Sequence, residues 1–291
     1  MQFGKQIRYA KIFCGGLLGC WLLSQIAIAH NHIGKVSYQV YPQATSKVHV
    51  VTVPRNAVRS IKVKVVSNIQ PLKKFLVPSK TIAAINGGYF DPGNQKTASY
   101  VIQEGQIVAD PRTNARLIDN PNLEPYLGKV LNRGEFRHYQ CGRDIRYDIT
   151  LHREPVPDGC SLVDSLGAGP QMLPENTSVA EAFTAYRDGK LVRNAIGENS
   201  LNARSAIAIT QENAVLLVMV EQLAPQNSGM SLTDLADFLA NLGAVKALNL
   251  DGGSSSTLYY KDKLEDKLHY GRLDREGNKV IRSVKSVLVV E

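Results

Sequence analysis

The sequence predicts an α+β fold, a single domain with a mixed, mostly antiparallel β-sheet core and a few packed helices. Three observations carry that prediction. Short runs rich in β-branched residues recur at 48–53, 61–66, 81–85, 205–210, 214–221, 245–251 and 286–290, and such runs bounded by turn residues read as strands. One segment has helical periodicity with both of its ends marked. No internal repeat, low-complexity tract or linker divides the 291 residues, so strands and helices are expected to share one layered core.

The N-terminus stands apart from that core. Lys5, Arg8 and Lys11 precede an apolar run from 12 to 28 that closes on Ala27-Ile28-Ala29. A basic start, an apolar middle and an A-x-A end describe a signal peptide over 1–29, with export to the periplasm or the extracellular space. A retained anchor is the alternative, because the run is just long enough to cross a bilayer, although Gly15, Gly16, Gly19, Ser24 and Gln25 weaken it. Lipidation at Cys20 ranks third, since the apolar sequence continues past it through Trp21-Leu22-Leu23. Membrane contact is therefore expected only through this segment.

Residues 30–291 then form the working domain, 262 residues in all, long enough to bury a sizeable core. The formal charge of +8 falls to +5 once Lys5, Arg8 and Lys11 leave. That excess suits an anionic substrate or an envelope surface, and is also an ordinary solubility balance. Nucleic acid is excluded as a partner, because no basic cluster is interleaved with aromatic residues.

The 81–85 run leads into Asn86-Gly87-Gly88-Tyr89-Phe90-Asp91. Asn86 is placed to hydrogen-bond sugar hydroxyls, Tyr89 or Phe90 to stack on a ring, and Asp91 to serve as a second acid. A glycine-rich turn with core aromatics is the plainer reading. The stretch 111–160 is polar and proline-bearing, and reads as an inserted subdomain or a long lid. Within it Cys141 and Cys160 are the two cysteines that remain once Cys14 and Cys20 leave with the signal. In an exported chain they suggest one disulfide, with two free thiols as the alternative. Such a bridge is worth about 3 kcal/mol in the chain-entropy account.

Ser165-Leu166-Gly167-Ala168-Gly169-Pro170 follows, a loop whose backbone N–H groups at Gly167 and Gly169 are candidates to cradle an oxyanion. A weaker helix is expected from 178 to 186. Arg204 stands at the start of the 205–210 strand, where a guanidinium suits phosphate held in a bidentate fork; most arginines at strand ends are only solvated. Gln211-Glu212-Asn213 reads as a hairpin turn to the 214–221 strand. Ser231 and Asp234 make a near capping box, and Leu232, Leu235, Ala236, Leu239 and Leu242 recur at helical spacing. Gly243 is placed to end that helix.

The helix leads straight into Leu248-Asn249-Leu250-Asp251-Gly252-Gly253-Ser254-Ser255-Ser256-Thr257. In a strand Asn249 and Asp251 share one face while Leu248 and Leu250 take the other. Gly252 and Gly253 let the backbone turn and approach a ligand closely, and Ser254 and Ser255 add donors around the carboxylate. By itself, this is also how an aspartate caps a tight turn.

Taken in order, these four segments resemble the phosphodiester glycosidase family. NGGYFD matches its Asn-Gly-Gly-aromatic-Phe segment. The likeness runs from about residue 81 to the C-terminus and is strongest from 204 to 258. The resemblance implies an exported hydrolase that cleaves a sugar from a phosphodiester at its anomeric oxygen, releasing free sugar and a phosphomonoester. Its substrate would be a phosphorylated carbohydrate or envelope glycan. Carried over by position, Asp251 and Arg204 are the candidate catalytic residues. Asn86, Asn249, Gly252 and Gly253 are carried over with them, and the Gly167/Gly169 loop supports them. Two departures stand out: Ser254 replaces the usual third glycine, and Glu221-Gln222 stands where members often carry Asp-Gly.

The residues suit that chemistry independently. Glycoside cleavage passes through an oxocarbenium-like state that a nearby carboxylate stabilises or captures. Phosphate is already a good leaving group, so charge and N–H donors on it matter more than a strong general acid. Two rival readings remain. One is a non-catalytic envelope carbohydrate-binding protein on the same scaffold. The other is a metal-dependent phosphodiesterase using Asp91 and Asp251. The main reading expects no metal and no cofactor. The chain has no HExxH, P-loop, EF-hand loop or GxSxG, and His49, His138, His152 and His269 stand alone and read as surface residues.

Overall fold

Strand pairing, all of it antiparallel among the named strands, organises the chain. In the computed structural model, which describes residues 34–57, 59–262 and 266–291, six strands form the largest sheet. Their order is Ser37–Pro42, Ser46–Val53, Val215–Gln222, Arg204–Thr210, Ala244–Asn249, Gln171–Leu173. A five-stranded sheet runs Asp266–Tyr270, Thr257–Lys261, Ala83–Asn86, Ser283–Val290, Ile61–Pro71, and a second one Gln106–Ala109, Val101–Gln103, Cys160–Gly167, Gly134–Cys141, Asp144–Leu151. Among the described residues the fold is thus mostly β, with the sheets antiparallel rather than mixed and helix confined to short pieces around one longer helix. The signal-peptide reading, with Cys14 and Cys20, lies outside the described residues. Among those residues no helix is long and apolar enough to cross a membrane.

The largest sheet is covered on both faces, which is why its strands read as nearly continuous apolar runs. Val51, Ile207, Leu217 and Leu248 pack against Ile85, Leu258 and Leu288 of the first five-stranded sheet and Phe136, Ile149 and Leu166 of the second. Val50, Ala206, Val218 and Ala247 face the other way, onto Leu232, Leu235 and Leu239 of the Leu232–Asn241 helix. That helix starts where the sequence places it. Ser231 accepts from the Asp234 N–H, Asp234 returns a bond to the Ser231 N–H, and Gly243 follows at φ +83°. The 211–213 turn is also formed, with Asn213 at φ +61° donating to the Thr210 carbonyl.

The weaker helix expected over 178–186 does not form. Residues 178–183 are turns and Thr184–Arg187 is a strand paired with Lys190–Asn194. Ala182 sits at φ +57°, and Glu181 turns inward to accept from the backbone N–H groups of Gly134 (2.6 Å) and Gln171 (2.9 Å). The stretch 111–160 divides in two. Its first part is short helical turns, and its second supplies strands to a five-stranded sheet, with Phe136 and Ile149 in the central core. Cys141 and Cys160 are directly paired across that sheet and disulfide-bonded.

Candidate active site

Two strand ends meet here. The Ala244–Asn249 strand carries Asn249 and then Asp251, and the neighbouring Arg204–Thr210 strand begins with Arg204. Leu248 and Leu250 both join the central core, which turns Asn249 and Asp251 to the opposite face, as alternation requires. Arg204 shares that face because Ala206 pairs with Asn249 in the ladder. Tyr89, Asn249, Asp251, Arg204, Gly252, Gly253 and Ser254 line one open cavity of about 470 Å³, with Ala195, Ile196, Gly197, Ser200 and Asn202 forming the rest of its wall. Sequence reasoning missed this 195–202 part of the wall. It lies in an irregular stretch whose only signal was its position just before Arg204.

Asp251 is the acid of this cavity. Burial raises its carboxyl to about 6, opposed by a hydrogen bond from Ser255, the charge of Arg282 and the Gly252 N–H. Its backbone is clamped on both sides, the N–H donating to Gly87 (3.0 Å) and the carbonyl accepting from Asn86 Nδ2 (2.6 Å). Gly253, at φ +59°, turns the chain into the Gly253–Ser255 3₁₀ turn immediately beyond. A left-handed residue here suits glycine, which carries no Cβ penalty.

Asn86 does not face a ligand. It is fully buried, its Oδ1 accepting from Ser205 Oγ (2.7 Å) and the Thr257 N–H (3.1 Å) while Nδ2 holds Asp251. It is a fastening between two sheets, and the sugar-contacting role read from the sequence is corrected accordingly. Asn249 lines the cavity. Its Nδ2 donates to Tyr89 Oη (2.6 Å) and to the Gly169 carbonyl (3.2 Å), while its buried Oδ1 has no hydrogen-bond partner among the described residues. Tyr89 lines the cavity but spends its hydroxyl on Gly169 (2.9 Å). Burial first, then the charge of Asp251, holds its proton on.

Arg204 is 3% exposed and does not offer a free fork. Nε donates to Met230, Nη1 to Ile196 (3.0 Å), and Nη2 to Gly197 (2.7 Å) and Ser200 (2.8 Å), all carbonyls. Four of its five N–H groups are thus engaged. The bidentate phosphate reading gives way to a guanidinium that organises the 196–200 wall and leaves its charge at the cavity, where burial lowers its pKa.

The remaining sequence candidates do not line the cavity. The Gly167/Gly169 loop does not cradle an oxyanion, because its donors are spent: Gly167 N–H goes to Tyr100, Ala168 N–H to Gly134 and Gly169 N–H to Asn249 (2.9 Å each). Gly87 and Gly88 are packing positions; a Cβ on Gly88 would lie 2.1 Å from the Gly167 carbonyl oxygen. Asp91 is outside the cavity. Burial raises its pKa, but the Arg116 hydrogen bond (2.6 Å) and the Gly93 N–H outweigh that and leave it below the ordinary value. Ser255 is buried behind Asp251 rather than lining the cavity.

The histidines are not the surface residues the sequence suggests. His49 and His138 are buried, and Nδ1 of His138 lies 3.3 Å from an Asp164 oxygen. His152 stacks on Tyr100 with ring centroids 3.8 Å apart. His49 Nε2 lies 2.7 Å from Glu221, and Tyr38 Oη lies between His49 Nδ1 (2.7 Å) and His269 Nε2 (2.9 Å). Glu221 therefore belongs to a separate cluster, where Lys279 also reaches it (2.7 Å). Residues far apart in the chain meet there, which no sequence spacing announced.

The family model described as phosphodiester glycosidase matches residues 79–291. No curated protein matches the chain. Among solved structures the chain is similar to a protein of Synechocystis described as hypothetical, with a TM-score of 0.54 and 17% identity, over 88% of this chain and 61% of that one. It therefore spans less than two thirds of that relative. It is also similar to the catalytic domain of zebrafish N-acetylglucosamine-1-phosphodiester alpha-N-acetylglucosaminidase, auto-inhibited by its pro-peptide, with a TM-score of 0.58 and 15% identity over 88% of this chain and 82% of that one. At such identities the likeness shows the fold.

Proposed function

The chain belongs to the phosphodiester glycosidase family, and from that premise we propose that it is an exported hydrolase cleaving the glycosidic bond of a sugar-1-phosphodiester. The observation that carries this reading is the placement of a half-buried acid, Asp251, in a polar cavity whose wall also holds the Arg204 guanidinium and Asn249. In the proposed reaction the sugar lies over Asp251 and beside Asn249. As the bond from the anomeric carbon to the phosphate oxygen breaks, the electron pair leaves with the phosphate. Ionised Asp251 stabilises the positive charge that develops on the sugar, or captures the carbon as a covalent intermediate. Water then supplies the hydroxyl at the anomeric carbon. The products are free sugar and a phosphomonoester. Arg204 contributes positive potential at the cavity and holds the 196–200 wall in place.

Asp91 lies outside the cavity and pairs with Arg116, so the arrangement gives no support to a two-aspartate site that cuts the P–O bond. The test is incubation with a panel of sugar-1-phosphodiesters, N-acetylglucosamine among them, in H₂¹⁸O. We expect reducing sugar to appear with the label in the sugar, and Asp251→Asn to lower kcat by about two orders of magnitude or more while the fold is retained. Label in the phosphate would overturn the bond assignment. Absence of reducing sugar across the panel would favour a binding protein on this scaffold.

A further inference from the structure

We propose that His49, Glu221 and His269 form a binding site for a divalent first-row cation of the zinc type, separate from the Asp251 cavity and independent of the reaction proposed there. His49, on the Ser46–Val53 strand, and Glu221, on Val215–Gln222, are diagonal neighbours in the large sheet, where His49 pairs with Met219. Both face inward with Val51, Leu217 and Met219. His269 comes from the Asp266–Tyr270 strand of the facing sheet, and its ring stacks on that of His49 with centroids 4.2 Å apart. One donor atom from each of the three residues lies within 4.8 Å of the others. A tetrahedral zinc ion with ligands at about 2.0–2.2 Å needs donors roughly 3.4 Å apart, so side-chain shifts of about an ångström would complete the set.

Chemistry favours this class of ion. Two imidazoles and one carboxylate suit zinc and its neighbours, whereas calcium and magnesium take oxygen ligands. The surroundings supply outer support as well. With the metal on Nε2 of His49, Nδ1 carries the proton and donates to Tyr38 Oη, 2.7 Å away, the kind of contact that fixes a ligating imidazole. Tyr38 itself is packed against Tyr260, with ring centroids 5.1 Å apart. Lys279 is the built-in competitor. Its ammonium sits 2.7 Å from Glu221 Oε1 and must yield when a cation binds. A bound ion would tie the two facing sheets together through ligands from three strands.

The experiment uses the tag-free full chain and Zn²⁺ alone, followed by calorimetric titration and by thermal melting. We expect one equivalent to bind with a rise in Tm, since a ligand selective for the folded state stabilises it. His269→Ala, at a partly exposed position, should weaken binding about tenfold or more and abolish the rise. Lys279→Ala should strengthen binding, a response that an unrelated surface histidine would not give. The proposal is overturned if His269→Ala binds as well as the parent chain. It is equally overturned if neither the parent nor Lys279→Ala binds at up to ~100 μM Zn²⁺. Sugar release plays no part in either readout, so failure here leaves the glycosidase reading untouched.

Discussion

Burial holds the Asp251 carboxyl near 6 even though Ser255, Arg282 and the Gly252 N–H all pull it down. A carboxylate that stabilises a sugar cation must be ionised, so activity should rise with pH through about 6; a kcat/KM profile flat from pH 4.5 to 7.5 would contradict the assignment. The same shift works against stability. The unfolded chain releases this proton near its ordinary value of 3.8 and the folded chain holds it to about 6, so the cost is absent below pH 4 and complete above pH 6. It amounts to about 3 kcal/mol. Asp251→Asn should therefore melt higher than the parent chain at pH 7.5 and no higher at pH 3.5. Asn86 makes the opposite case. Its removal in Asn86→Ala leaves Ser205 Oγ, the Thr257 N–H and the Asp251 carbonyl without their partner. Denaturant unfolding should show a loss of about 2–4 kcal/mol, with activity falling as well because the Asp251 backbone is no longer clamped.

The Leu232–Asn241 helix and the hairpin at 211–213 are local structures, and the residues that specify them lie within a few positions of one another: Ser231 with Asp234, Asn213 with Thr210. That is why both are legible in sequence. The 178–186 segment has helical spacing too, yet Glu181 is claimed by N–H groups of Gly134 and Gln171, and the chain turns there instead. The 134–151 hairpin is held to the Cys160–Gly167 strand by the disulfide between Cys141 and Cys160. Replacing both cysteines by serine should cost about 2–4 kcal/mol. Melting under reducing and oxidising conditions gives the check: the parent chain should lose Tm when reduced and the double variant should not.

Three sheets share one core, and their strand ends meet at close quarters near the cavity. Gly88 approaches Gly167 so closely that Gly88→Ala would set a Cβ against backbone. That substitution should destabilise the fold by more than the ordinary cost of a surface change, and a melting temperature equal to the parent's would refute the packing role. The chain by itself determined the seven strand runs rich in β-branched residues, the Asn-Gly-Gly and Asp-Gly-Gly motifs, the shared face of Asn249 and Asp251, and the pairing of two cysteines. Each of these follows from alternation, turn chemistry or composition, which act over short stretches. Only the tertiary structure decided which polar groups remain available. It consumed Asn86, the 167–169 amides and most of the Arg204 fork in internal hydrogen bonds, left Asn249 Oδ1 buried without a partner among the described residues, and gathered His49, Glu221 and His269 from distant strands. The physical reason is that a polar atom's partner depends on which backbone arrives beside it, and that is settled by how the sheets pack.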